Sequence, residues 1–139
     1  MIADGKVMNV NCVVMGSMSA YPFSDALHQR ILAELEVLMN EEKIYKDPLL
    51  SLLNLAHRLR TNTAYLSRIV NDHYQVNFST WVNRYRIEEA KKMLIVREYT
   101  IEKIALLSGF GSKSVFNKAF KNFTGLTPTA WLRKIREEE

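Results

Sequence analysis

TIEKIALLSGFGSKSVFNKAFKNFTGLTP, residues Thr100 to Pro128, decides how the rest of the chain is read. Ile101, Ile104 and Ala105 recur at i, i+3 and i+4, which places them on one side of a short helix that Thr100 can cap. Gly109 must end that helix by taking a left-handed backbone. Phe110 then offers an apolar plug at the corner, and Ser112 can accept a backbone N–H to open the next helix. In the second helix Val115, Phe116, Ala119, Phe120 and Phe123 are expected to share a buried face, turning Lys113, Ser114, Asn117 and Lys118 outward. Two short helices joined by a tight glycine-containing turn, the second with a polar and basic face, predict a helix-turn-helix.

The same pattern occurs earlier. Ser51, Leu52, Leu55 and Ala56 repeat Thr100, Ile101, Ile104 and Ala105 at an offset of 49 residues. Leu66, Arg68, Val70, Trp81, Val82 and Arg86 repeat Phe116, Lys118, Phe120, Trp131, Leu132 and Arg136 at an offset of 50. The one-residue change falls in the turn, where an insertion disturbs least. The fold class expected is therefore all-α, with two tandem helix-turn-helix, homeodomain-like subdomains joined by a long linker helix. The first unit is placed at about 51–73, the linker at about 78–95 and the second unit at about 100–123.

Around this frame, residues 24–139 read as one domain and residues 1–23 as a poorly ordered leader or the remnant of an upstream domain, with a short strand over Val10 to Met15. Ser24 or Asp25 can cap a helix whose apolar positions Leu27, Ile31, Leu35, Leu38 and Met39 are expected to pack on the first unit. Leu52, Leu55, Ala56 and Leu59 form the buried face of the first positioning helix. Asn62 caps its partner, which buries Leu66, Ile69 and Val70 and leaves Thr63, Ala64, Ser67 and Arg68 along one outward strip. The linker opens at Asn77-Phe78, with Phe78, Val82, Tyr85, Ala90, Met93 and Leu94 as its inner stripe and Trp81 as an aromatic core anchor opposite Trp131. Thr127 caps the last helix and Pro128 begins it, a favoured pairing because proline lacks only an N–H that would be orphaned there.

Length allows one compact domain, and 47% hydrophobic residues suffice for a core. The formal charge of +4 decides little by itself; its distribution decides more. From Lys103 to Arg136 every charge is positive, and from His57 to Arg86 the side chains of Arg58, Arg60, Arg68, Arg84 and Arg86 face only Asp72. The segment from Ser24 to Asp47 is acidic by comparison, so the chain is polarised toward a polyanion. The single Cys12 rules out an internal disulfide framework and suits a reducing, cytoplasmic setting. His28, His57 and His73 have no partners at metal-ligand spacing, so no metal or cofactor is expected. No apolar run reaches the ~20 residues that span a bilayer.

These residues resemble the DNA-binding domain of AraC-type transcriptional regulators. The signature I-x-x-I-A-x-x-x-G-F-x-S-x-S-x-F-x-x-x-F-K-x-x-x-G-x-T-P runs here from Ile101 to Pro128, through Gly109, Phe110, Ser112, Ser114, Phe116, Phe120, Lys121, Gly125 and Thr127. The first half fits through Leu55-Ala56, Tyr65-Leu66-Ser67-Arg68, Asn77-Phe78 and Arg86-Ile87-Glu88-Glu89-Ala90. The resemblance covers about Ser24 to Arg136. It departs at Gln75, the repeat counterpart of Gly125, where the family usually has glycine, so the turn after the first recognition helix is expected to be strained or reshaped.

The resemblance implies sequence-specific binding of double-stranded DNA, with two recognition helices in successive major-groove segments ~34 Å apart. Thr63, Ala64, Ser67 and Arg68 would meet base edges in one half-site, and Lys113, Ser114, Asn117 and Lys118 in the other. Arg68 suits guanine, Asn117 adenine and Ala64 a thymine methyl. Lys121 and the helix starts at Asn77 and Thr127 suit phosphate. The capping residues Asn62 and Ser112 complete the candidate DNA-contacting set. RNA polymerase and an upstream sensor or dimerisation domain are further candidate partners. The rival reading is a helical protein-interaction module that keeps the fold without reading bases. An enzyme is not expected: there is no nucleophile with a base, no phosphate-cradling loop and no paired acid–base carboxylates, and Glu88-Glu89 is read as a surface pair beside basic neighbours.

Overall fold

The structure, a computed structural model, describes residues 25–138. The leader and strand expected within residues 1–23, the Ser24 cap and Glu139 lie outside the described residues. Among the described residues there are helices and turns but no strands. Helix α1 spans Asp25–Asn40 and a 3-10 turn Ile44–Lys46. Helices α2 (Leu52–Arg58) and α3 (Thr63–Tyr74) precede the long α4 (Phe78–Val96); α5 (Ile101–Leu107), α6 (Lys113–Thr124) and α7 (Pro128–Glu137) follow it. The chain divides after Glu36 into two compact units. The described part of the first is the N-terminal stretch of α1, where Ile31 and Leu35 are buried and Arg30 bonds Glu34 at 3.0 Å. The second unit holds all that follows.

Each helix from α2 to α7 begins where a side-chain oxygen accepts an orphan N–H. Ser51 accepts from Asn54 N while the Asn54 side chain accepts from Ser51 N, closing a capping box. Asn62, Asn77, Thr100, Ser112 and Thr127 accept in the same way from Tyr65, Thr80, Lys103, Val115 and Ala130. Helices α3, α4 and α6 all end on a left-handed residue, respectively Gln75, Arg97 and Gly125. Gln75 sits at φ 63 where Gly125 sits at φ 81, so the departure from glycine leaves a side chain in a region that costs about 1–2 kcal/mol. Gln75→Gly is expected to raise stability by about 0.5–1 kcal/mol, the relief being partly offset by a more flexible unfolded chain and by loss of the Gln75 Nε2 bond to the Asp72 carbonyl. A urea midpoint that falls would show that this bond outweighs the strain.

Helix α4 is the spine, packing against α3, the 3-10 turn, α5, α6 and α7. Its 19 residues give a rod about 28 Å long. In the first half α2 packs on α3, and Leu55, Ala56, Leu59, Leu66, Ile69, Val70, Trp81 and Val82 are buried. Trp81 is the expected anchor, stacked on Tyr74 with centroids 5.1 Å apart and edge-on to Tyr85 at 5.9 Å. In the second half Ile87, Ala90 and Leu94 of α4 meet Ile104, Ala105, Phe110, Phe116, Ala119 and Phe120, with Met93, Ile101 and Trp131 at the edge. Phe116 and Phe120 are fully buried and each contributes about 1.5–3 kcal/mol. The inner stripe of α4 differs from the expected one. Ile87 belongs to it, while Phe78, Tyr85 and Met93 are only half-buried. A helix sandwiched between two cores turns different arcs to each, so a single stripe does not describe it.

The two halves meet at the 3-10 turn. Arg86 donates from Nε to the Tyr45 carbonyl at 2.7 Å and from Nη2 to the Asp47 carbonyl at 3.0 Å. Its guanidinium also lies 5.9 Å from the Phe110 ring centre. Tyr45 is buried, stacks on Tyr85 at 5.5 Å and donates its hydroxyl to Glu89 at 3.2 Å, while Lys46 pairs with the same carboxylate at 3.4 Å. Burial, then the Glu89 charge, pushes the Tyr45 hydroxyl up to about 12. Gly109, at φ 103, closes the contact: a Cβ there would collide with the Tyr45 carbonyl and lie 2.8 Å from Arg86 Nε. The sequence reading counted Arg86 toward the basic charge of the first unit and placed Glu89 on the surface. Both are instead used inside the fold. Burial pushes the Arg86 pKa below its ordinary value, with Asp47 opposing, yet a guanidinium remains charged.

Candidate nucleic-acid interface

Helix α3 buries Tyr65, Leu66, Ile69 and Val70 against α2 and α4. That arc turns Ala64 and Arg68 into solvent and leaves Thr63 and Ser67 half-exposed beside them, the strip expected from sequence. Asn62 is exposed, but its side-chain oxygen is occupied by the Tyr65 N–H at 2.8 Å.

Helix α6 buries a narrower arc than expected. Phe116, Ala119 and Phe120 are inside, whereas Val115 is 53% exposed and Phe123 38%. At 100° per residue Val115 stands about a quarter turn from the middle of the buried arc, so the core does not reach it. Phe123 points along the arc but lies a turn beyond Phe120, past the aromatic layer. Ser114 and Lys118 are exposed at the crest and Asn117 is half-exposed. Ser112 is exposed and accepts the Val115 N–H at 3.2 Å. Lys113 is exposed yet already paired, its Nζ 3.0 Å from Glu102 in the first turn of α5. The Glu102 pKa is held below the ordinary carboxylate value by hydrogen bonds to its own backbone and to Lys113, and by the lysine charge.

The crest of α6 has a hollow on either side. One, of about 470 Å³, is lined by Lys113, Asn117, Lys118 and Lys121 and by Thr127, Pro128 and Thr129 at the start of α7. Lys121 and the start of that helix, where Pro128 has no N–H and Thr127 takes that of Ala130 at 3.2 Å, leaving the Thr129 N–H, thus share a concave basic wall. The other, of about 450 Å³, lies against α4 and is lined by Thr80, Asn83, Val115, Lys118, Ala119, Asn122 and Phe123. Sequence reasoning missed this second hollow because it assigned Val115 and Phe123 to the core. It also missed Glu102, whose pairing with Lys113 depends on the angle at which α6 crosses α5. Of the other arginines counted toward the basic face, Arg58 is paired with Glu42 at 2.6 Å, while Arg60 and Arg84 are exposed. Among the described residues no helix is long and apolar enough to cross a membrane.

A family model described as a helix-turn-helix domain matches residues 55–134, more than half of the chain. The chain belongs to the AraC-type helix-turn-helix family. Among relatives of this AraC-type chain, the regulatory protein PocR of Salmonella typhimurium is 31% identical over 88 residues, covering 63% of this chain and 29% of PocR. The C-terminal domain of the two-component response regulator YesN from Fusobacterium nucleatum is 26% identical, with a TM-score of 0.65 over 78% of this chain and 99% of that one. The DNA-binding domain of AdpA, solved in complex with a target DNA, shares the fold at 20% identity with a TM-score of 0.67, covering 84% of this chain and 97% of that one. The chain spans about a third of the length of PocR and of the raffinose operon regulator RafR of Pediococcus pentosaceus.

Proposed function

We propose that this AraC-type domain binds double-stranded DNA sequence-specifically as the DNA-reading part of a transcriptional regulator, laying α3 and α6 into successive major-groove segments. The observation that carries the reading is the pairing of two capped helices, each with a polar, cationic crest, on one continuous rod. In this reading Thr63, Ala64, Ser67 and Arg68 meet base edges in one half-site, and Ser114, Asn117 and Lys118 in the other. Lys113 joins them only by exchanging Glu102 for the duplex. Lys121 and the start of α7 hold a phosphate in the hollow they share, and Asn62 and Ser112 act by fixing the first turns. Residues 24–139 constitute the DNA-binding domain. The regulator acts in the cytoplasm with RNA polymerase as a partner, and the greater length of PocR and RafR supports a sensor or dimerisation domain beside it.

Selecting bound duplexes from a random pool tests this directly. The expected result is a two-part motif with centres about 10–10.5 base pairs apart; no enrichment, or a single unrepeated element, would overturn it. On the selected duplex Arg68→Ala is expected to cost about 1–3 kcal/mol and to relax one base position, whereas Lys121→Ala weakens all sequences alike. An unaltered base preference in Arg68→Ala would remove that residue from the reading set.

A further inference from the structure

We infer that Val115 reads a thymine through its 5-methyl group, one or two base steps from the pair that Lys118 meets. The inference rests on the DNA-binding reading above and deepens it. Val115 is the third residue of α6, its N–H held by the Ser112 cap, and the first turn of a recognition helix is the part that reaches base edges. Its side chain is 53% exposed, and nothing in the fold requires it there. A β-branched residue lowers helix propensity, and a half-covered isopropyl group recovers only part of the burial it could have.

The repeat sharpens the point. The counterpart of Val115 in the first unit is Tyr65, which is 3% exposed and part of the core. The two reading helices therefore differ in kind: α3 offers only polar groups and Ala64 beside its arginine, whereas α6 carries a branched apolar group next to its lysine. Val115 and Lys118 are one turn apart, with Cβ atoms about 5–6 Å from each other, so they reach neighbouring base pairs. In the major groove the one apolar feature of base-pair edges is the thymine methyl. Phe123, two turns further along, lies too far from the first turn to share that base and is flanked by Thr80 and Asn83 of α4.

The test uses the duplex selected above, with each thymine replaced in turn by deoxyuridine, which removes the methyl and nothing else. The wild-type chain is expected to lose about fourfold in affinity at one thymine of the α6 half-site, the effect of one buried methyl. Val115→Ala, a change at an exposed site whose fold is checked by thermal melting, is expected to bind thymine and deoxyuridine duplexes equally there. Equal wild-type binding at every position, or discrimination that survives in Val115→Ala, would overturn the inference while leaving DNA binding intact. Failure to select any duplex would overturn both.

Discussion

Gly109→Ala is expected to destabilise the chain by about 3–5 kcal/mol, visible as a fall of about 15 °C in melting temperature. Two costs combine. At φ 103 a side chain is strained by about 1–3 kcal/mol wherever it sits. In addition, the new Cβ meets the backbone carbonyl of Tyr45, which cannot swing aside as a side-chain tip would. Relief requires moving the 3-10 turn, and that breaks the Arg86 bond to the same carbonyl. Gly125→Ala is the internal control, since its φ of 81 carries the strain but no atom lies within 4 Å of its Cβ. It should cost only about 1–2 kcal/mol. Equal losses for the two variants would show that close approach to Tyr45 contributes nothing.

Arg86→Ala is expected to cost about 2–4 kcal/mol in urea unfolding, because two backbone carbonyls lose a charged donor and Phe110 loses its cover. Its second effect follows from position. Arg86 lies on the rod, bonds the segment that leads into α2 and touches the turn between α5 and α6. Without it the angle between the two reading heads is less defined. The wild-type chain should discriminate against a selected duplex carrying one extra base pair between half-sites, and Arg86→Ala should discriminate less. Arg86→Lys keeps the charge but cannot span both carbonyls, so it should fall between them. If spacing preference is untouched in a variant that is clearly destabilised, Arg86 supports the fold and does not set the geometry.

Much of this was legible in the sequence because helix ends and helix faces are written locally. Thr100, Ser112 and Thr127 announce helix starts, Gly109 and Gly125 announce turns, and the repeat supplies a second copy of the argument. The cap at Asn62 follows from that correspondence, as the counterpart of Ser112. What periodicity could not supply was the depth of the core. Val115 and Phe123 have apolar side chains at helical spacing, but one stands off the buried arc and the other lies past the end of the aromatic layer. Nor could local pattern show that Arg86 and Glu89 turn inward, since their partners, Tyr45, Lys46 and Asp47, are some forty residues away in the chain. A charge count assigns every cation to the surface; only the tertiary fold shows which ones it uses.

The Glu102–Lys113 pair bears on how binding responds to ionic strength. A lysine that exchanges an internal carboxylate for the nucleic acid neutralises less of the polyanion than an unpaired one, because the carboxylate it leaves remains nearby and repels phosphate. The slope of log affinity against log salt for the α6 half-site should therefore be shallower than its lysines alone would give. Part of the electrostatic attraction is thereby exchanged for dependence on base contacts, which favours discrimination between sites over tightness at all of them.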